Sequence, residues 1–118
     1  MTLLLVLTNA PDQAAAEALA AALVAERLAA CVNILAPCRS IYRWQGAVET
    51  AEEVPLLIKT TPERYPALER AIRAGHPYDT PEIIALPVTA GLPAYLAWVA
   101  AETQPADVPD LSGRPPSP

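Results

Sequence analysis

The one histidine of this 118-residue chain lies in the segment GHPYDTPEII, residues 75–84. Tyr78, Asp79 and Glu82 follow His76 closely, and imidazole and carboxylate groups are ligands for divalent metals. Two prolines stiffen the segment, so its side chains would be presented with little entropy to lose. The segment has two interpretations. Either His76 is a ligand for Cu²⁺ or another divalent cation, or it only caps the preceding helix or hydrogen-bonds across a subunit contact.

The two cysteines, Cys31 and Cys38, do not form a recognised metal pattern. They are seven residues apart, and a single histidine cannot complete a set of four zinc ligands. A disulfide is not expected in a cytosolic chain. Cys31 follows the apolar stretch RLAA and is predicted to be buried. Cys38 precedes Arg39 and Ser40, so it is predicted to be accessible and is our candidate for a second metal ligand with His76.

A second set of residues could bind a small ligand. Tyr42 and Trp44 alternate onto one face of a predicted strand and could wall a cleft between subunits, although aromatic side chains mostly serve packing. Lys59 is the only lysine and lies just before a predicted helix start, where it would suit an anionic ligand or simply be solvated. Together with Tyr78 and Glu82 these residues form the predicted ligand-binding set.

Composition and charge exclude several classes of function. The net charge is −5 and the arginines are scattered, so no nucleic-acid partner is expected. The apolar run at residues 3–7 is too short to cross a bilayer and no basic residue precedes it, so we expect no membrane partner and a cytoplasmic location. The acidic residues Glu49, Glu52 and Glu53 are predicted to form a solvated face of a hairpin.

Hydrophobic periodicity predicts the elements that position these residues. The predicted order is β-α-β-β-α-β with an added C-terminal helix, which is the ferredoxin-like split βαβ arrangement of the α+β class. Residues 1–103 form the folded domain, and residues 104–118 form a Pro-rich tail with little to bury. Four strands are predicted: residues 3–8, a second strand over 31–35 and 41–44 that Pro37 interrupts, 54–59 and 82–88. The second and third form a hairpin about Gln45-Gly46. The predicted helices span 13–30, 62–74 with Gly75 as the stop, and a segment from Pro93.

Six motifs in order carry a resemblance to a known family. TNAPD, LVAERLAACVNI, SIYRWQG, LLIKTT, HPYDTPEIIALPV and YLAWV cover residues 8–99 at the expected spacings. Together they closely resemble the CutA family of divalent-cation-tolerance proteins. The resemblance implies a PII-like homotrimer in which the long hairpin reaches a neighbouring subunit. It also implies divalent cation tolerance, with copper binding in some members, no catalytic reaction and no metal required for folding.

Two positions depart from the family's copper ligands. Some members place a cysteine at the end of the first strand and a second histidine before HPY, whereas this chain has Thr8 and Gly75 there. Of the family's copper ligands this chain keeps only His76, so modest metal affinity is expected. The alternative function is a PII-like trimeric sensor or structural protein that binds a small anionic ligand or a protein partner. An acylphosphatase, which shares the topology, is excluded because TNAPDQ lacks the glycine-rich loop and arginine that enzyme needs.

Overall fold

The computed structural model describes residues 2–105, so the predicted tail beyond Pro105 lies outside the described residues. Five strands and three helices make up this part of the chain. They are β1 (Leu3–Ala10), α1 (Gln13–Ala25), β2 (Cys31–Ile34), β3 (Cys38–Trp44), β4 (Ala47–Thr60), α2 (Tyr65–Gly75), β5 (Ile83–Val88) and α3 (Pro93–Glu102). Within residues 2–105 no helix is both long and apolar enough to cross a membrane.

The sheet is antiparallel throughout, with strand order β2-β4-β1-β5. Strand β3 pairs with the first half of β4, while β2 pairs with its second half. Helices α1 and α2 pack against one face of the sheet. This topology confirms the ferredoxin-like split βαβ fold with an additional C-terminal helix.

The second strand of the predicted fold is divided in two, so the sheet has five strands and not four. Strand β2 ends at Ile34 and β3 begins at Cys38, on either side of Pro37. Proline has no N–H to donate to the ladder, so the pairing is interrupted there. The return strand is also longer than predicted: it begins at Ala47 directly after the turn and not at Val54.

Helix α1 begins as predicted but ends five residues early. Asp12 caps its start, accepting a 2.8 Å hydrogen bond from the Ala15 N–H. The periodicity predicts a helix that reaches Ala30, but α1 stops at Ala25, because Arg27 adopts a left-handed backbone with φ of 60°. The Arg27 guanidinium donates to the backbone oxygens of Gln104 (2.6 Å) and Ala101 (3.0 Å), so it caps the end of α3.

Helix α2 begins later than predicted. A turn over residues 62–64 precedes it, and the helix proper starts at Tyr65. Pro66 therefore lies in the first helical turn, where its missing N–H forfeits no intrahelical hydrogen bond. Gly75, predicted to lie just after the helix as its stop, is instead its last residue, and His76 follows in an extended conformation.

The main core lies between the sheet and helices α1 and α2. Its fully buried side chains include Val6, Leu23, Leu56, Ile58, Leu68 and Ile72. The opposite face of the sheet is covered only in part, by Val99 and Leu96 of α3 packed on Leu3 and Val88. Large apolar side chains beyond this cover stay exposed, among them Ile84 and Leu86 of β5.

The buried Thr8 hydroxyl has no partner in the part of the chain that the structure describes, and Thr8→Val is expected to stabilise the protein. Thr8 is 1 % exposed, and its Oγ1 has no hydrogen-bond partner among the described residues. Valine keeps the shape and removes an unsatisfied polar atom, so the free energy of unfolding should rise by about 1 kcal/mol. Urea unfolding at a fixed chain concentration measures the change.

Thr60 supplies the matched control for that prediction. It is equally buried, but its Oγ1 donates a 2.7 Å hydrogen bond to the Leu28 carbonyl. Thr60→Val would leave that carbonyl unpaired and should lower the free energy of unfolding by about 1 kcal/mol. Equal effects from the two substitutions would contradict the assignment of Thr8 as unsatisfied.

Candidate functional site

An open cleft of about 750 Å³ lies between strand β3 and the segment of residues 77–82. Four of the predicted ligand-binding residues line it: Tyr42, Trp44, Tyr78 and Glu82. The structure therefore brings together side chains from the hairpin and from the HPY segment, which are more than thirty residues apart in the sequence. The fifth predicted residue, Lys59, does not line the cleft.

The hairpin presents its aromatic side chains through strand alternation. Ser40, Tyr42 and Trp44 alternate onto one face of β3, and all three line the cleft. The turn that closes the hairpin has positive φ at both central residues, 49° at Gln45 and 82° at Gly46. Two such residues match the right-handed twist of the flanking strands, so the turn predicted from the sequence is confirmed.

His76 uses both ring nitrogens in hydrogen bonds within its own chain. Nε2 lies 2.6 Å from the carbonyl oxygen of Asn9, and the Tyr78 N–H donates to Nδ1 at 3.2 Å. A carbonyl can only accept, so Nε2 carries the proton and Nδ1 offers its lone pair to Tyr78. The imidazole thus ties the end of β1 to the start of the 77–82 segment. A metal ion at Nδ1 must displace the Tyr78 N–H.

The second candidate metal ligand, Cys38, is half-buried. Its Sγ lies 3.8 Å from Ser40 Oγ, and it faces Glu53 across the hairpin. Within residues 2–105 there is no group of three or more His, Cys, Asp and Glu side chains that could hold a metal ion. A metal site built on His76 and Cys38 therefore stays a prediction that needs ligands from a second chain.

Lys59 belongs to a separate polar cluster on the sheet face that carries α3. Its ammonium donates to the Asn33 side-chain oxygen and lies 3.9 Å from Cys31 Sγ. Cys31, predicted to be fully buried, is half-buried here. Burial raises the pKa of Tyr95 on α3, and the neighbouring Cys31 adds to the rise. This cluster explains why Lys59 is absent from the cleft: strand alternation turns it toward β2 and α3.

Glu53 is a cleft residue that no pattern in the sequence indicates. The prediction that its acidic run is solvated is wrong for Glu53, which is only 9 % exposed and lines the cleft. Glu53 lies in β4 opposite Cys38, and the 77–82 segment lines the same cleft. A run of three acidic residues carries no signal that one of them lies in a cleft. Glu49 and Glu52 are exposed, as predicted.

The cleft is negatively charged and aromatic. Glu53, Asp79 and Glu82 line it, and among residues 2–105 none of the lining residues is a lysine, arginine or histidine. Burial raises the pKa of the Tyr78 hydroxyl, with further contributions from the Glu53 carboxylate and from Tyr42. Tyr42, Tyr78 and Glu53 all line this cleft. A smaller cavity of about 430 Å³ on the other side of the segment carries Arg70 and Arg73.

Comparisons with known proteins agree on one family. A family model described as "CutA1 divalent ion tolerance protein" matches residues 4–102. A divalent-cation tolerance protein CutA from Thermus thermophilus is 49% identical over 98 residues, which is 83% of this chain and 95% of the relative.

Solved structures give the same result. The structure of a divalent cation tolerance protein from Thermus thermophilus superposes with a TM-score of 0.85 at 47% identity, covering 86% of this chain and 99% of its own. A structure from Archaeoglobus fulgidus, described as a periplasmic divalent cation tolerance protein CutA, has a TM-score of 0.84 at 34% identity, with coverage of 86% and 99%.

Proposed function

Because this chain belongs to the CutA1 divalent ion tolerance family, we propose that it acts as a homotrimer in tolerance of divalent cations and binds Cu²⁺ or a related ion weakly. The homotrimer is supported by the apolar face of the sheet that α1 and α2 do not cover. Weak metal binding is supported by the hydrogen bonds that His76 already makes. We infer a binding and tolerance role without a catalytic reaction, because the names of the relatives describe tolerance alone.

Two exposed apolar surfaces support the assembly. On the sheet, Ile84 and Leu86 are 51 % and 44 % exposed on the face opposite α1 and α2. On the hairpin, Ile41 and Val48 are 70 % and 66 % exposed. Apolar surface of this extent is typical of a protein interface. We take the number of three subunits from the family resemblance, in which the hairpin reaches across to a neighbour.

Modest metal affinity follows from the local chemistry. Copper favours imidazole and thiolate ligands, and His76 must give up its bond from the Tyr78 N–H to offer a lone pair. Thr8 is buried on the helix side of the sheet, and Gly75 has no side chain. The remaining ligands, such as Cys38 or carboxylates, would come from this chain and its neighbours together.

A copper titration with two His76 variants tests the metal site. Isothermal titration of Cu²⁺ into the wild-type assembly should show binding, and His76→Ala should weaken it at least tenfold, since it removes the one imidazole. His76→Gln is the matched control for structure, because its amide can still donate to the Asn9 carbonyl. We expect His76→Gln to lose copper affinity while it keeps the assembly.

The alternative outcome identifies a structural histidine. If His76→Ala binds copper with unchanged affinity and stoichiometry, the imidazole is not a ligand and only connects β1 to the 77–82 segment. Light scattering on each variant separates a lost ligand from a lost assembly. A variant that dissociates while His76→Gln stays assembled also assigns the histidine a structural role.

We place the protein in the cytoplasm. Both cysteines are free thiols, and unpaired thiols are typical of a reducing compartment. The relative from Archaeoglobus fulgidus is described as periplasmic, so compartments differ within the family or its naming. Fractionation of cells that express the tagged full chain tests the assignment. Recovery with periplasmic markers would contradict it.

A further inference from the structure

Glu53 places a carboxylate in the cleft without a hydrogen-bond partner among the described residues. It is more than nine-tenths buried, and within residues 2–105 no group donates a hydrogen bond to it. Its cross-strand neighbour, Cys38, carries no positive charge. The carboxylate oxygens of Glu53 stay accessible to solvent in the open cleft. Glu53, Asp79 and Glu82 line the cleft with charge of one sign, and a cleft lined in this way attracts a positive charge.

The walls around this carboxylate are aromatic. Tyr42, Trp44 and Tyr78 line the same cleft, and each leaves at least two-fifths of its surface exposed. The faces of aromatic rings attract ammonium groups within about 6 Å, and the attraction grows where water is excluded. Pro77 and Pro81 add rigid apolar surface from the opposite side. An aromatic wall with a carboxylate is the combination that recognises an organic cation.

Other ligand classes fit this cleft less well. An anion would meet Glu53, Asp79 and Glu82, and none of the described residues that line the cleft is cationic. A bare divalent metal needs several donors in one place, and the described residues supply no group of three. A cleft of about 750 Å³ is also far larger than a metal ion and is within the size range of small-molecule sites.

We propose that this cleft binds the ammonium group of a small organic cation, held by the Glu53 carboxylate and the faces of Tyr42, Trp44 and Tyr78. The site is distinct from metal tolerance and does not depend on it. The proposed ligand is a cation, whereas the position of Lys59 in the sequence suggested an anion. Lys59 does not bear on this cleft, because it lies in another cluster.

The test compares a charged probe with its neutral analogue on the full-length wild-type assembly. Choline and spermidine are titrated by calorimetry in the presence of a chelator, so metal binding cannot contribute. The neutral analogue of choline has carbon in place of the charged nitrogen and nearly the same shape. We expect choline or spermidine to bind with a Kd on the order of 1 mM or tighter, and the neutral analogue at least tenfold more weakly.

Variants then locate the site. Glu53→Gln keeps the shape of the side chain and should weaken binding at least tenfold, whereas Trp44→Leu should weaken it several-fold. Glu52→Gln is the matched control, because Glu52 is the preceding residue, is exposed and does not line the cleft. It should bind like the wild type. Circular dichroism and light scattering establish that each variant is folded and assembled.

Three results overturn the proposal. The first is equal binding of choline and its neutral analogue, which would make the cleft merely apolar. The second is no binding of either cation at about 10 mM, as expected if a neighbouring subunit fills the cleft. The third is unchanged binding to a folded Glu53→Gln variant. If that variant does not fold, the wild-type comparison and Trp44→Leu still decide the matter.

Discussion

Leu86→Glu should dissociate the assembly, so that light scattering reports a mass near 12.5 kDa in place of three times that value. Leu86 lies on β5, opposite Leu5 of β1, on the sheet face that α1 and α2 do not cover. It is large, apolar and 44 % exposed in the single chain. A carboxylate buried there between subunits would lack a partner, which is strongly unfavourable.

Ala85→Glu is the control for this substitution. Ala85 is the neighbouring residue of the same strand, is also exposed, and points to the opposite face by strand alternation. It should leave the mass of the assembly unchanged. A Leu86→Glu protein that keeps the wild-type mass would show that this face is not the interface. A wild-type chain that is monomeric at low micromolar concentration would contradict the trimer itself.

Leu68→Ala is expected to lower the free energy of unfolding by about 3 kcal/mol. Leu68 lies on α2, has no exposed surface and packs in the core between the helices and the sheet. The substitution loses the transfer free energy of the removed atoms and leaves a cavity that the close-packed surroundings fill only in part. Urea unfolding at equal chain concentrations measures the loss, since the stability of an assembly depends on concentration.

Leu92→Ala provides the same chemical change at an exposed position. Leu92 is 71 % exposed just before α3, so its truncation should change the free energy of unfolding by about 0.5 kcal/mol or less. Similar losses at Leu68 and Leu92 would mean that Leu92 is buried in the assembly or that Leu68 is less tightly packed than its burial indicates.

Local signals are enough to predict most elements. Asp12 before an alanine-rich run predicts the start of α1, Pro93 predicts the start of α3, and Gln45-Gly46 predicts the hairpin turn, all of which are confirmed. Each is encoded by a few neighbouring residues, because capping, a fixed proline φ and positive φ are properties of the local backbone. The order of these elements then limits the topology to the ferredoxin-like arrangement.

The candidate site can be predicted only in part. Strand alternation assigns Tyr42 and Trp44 to one face of β3, and the HPYDTPE segment indicates Tyr78 and Glu82 as candidates. Their meeting in one cleft depends on how the hairpin lies against that segment. The place of Lys59 in the sequence groups it with them, but its position in β4 directs it to Cys31 and Asn33.

The type and order of the elements follow from local sequence, because periodicity and turn chemistry act over a few residues. The end of α1 depends on the folded chain, since Arg27 caps carbonyls at the end of α3 more than seventy residues away. Tertiary structure likewise buried Glu53 and engaged both nitrogens of His76. Burial and long-range hydrogen bonds depend on which segments the folded chain brings together, and no local pattern of residues encodes that proximity.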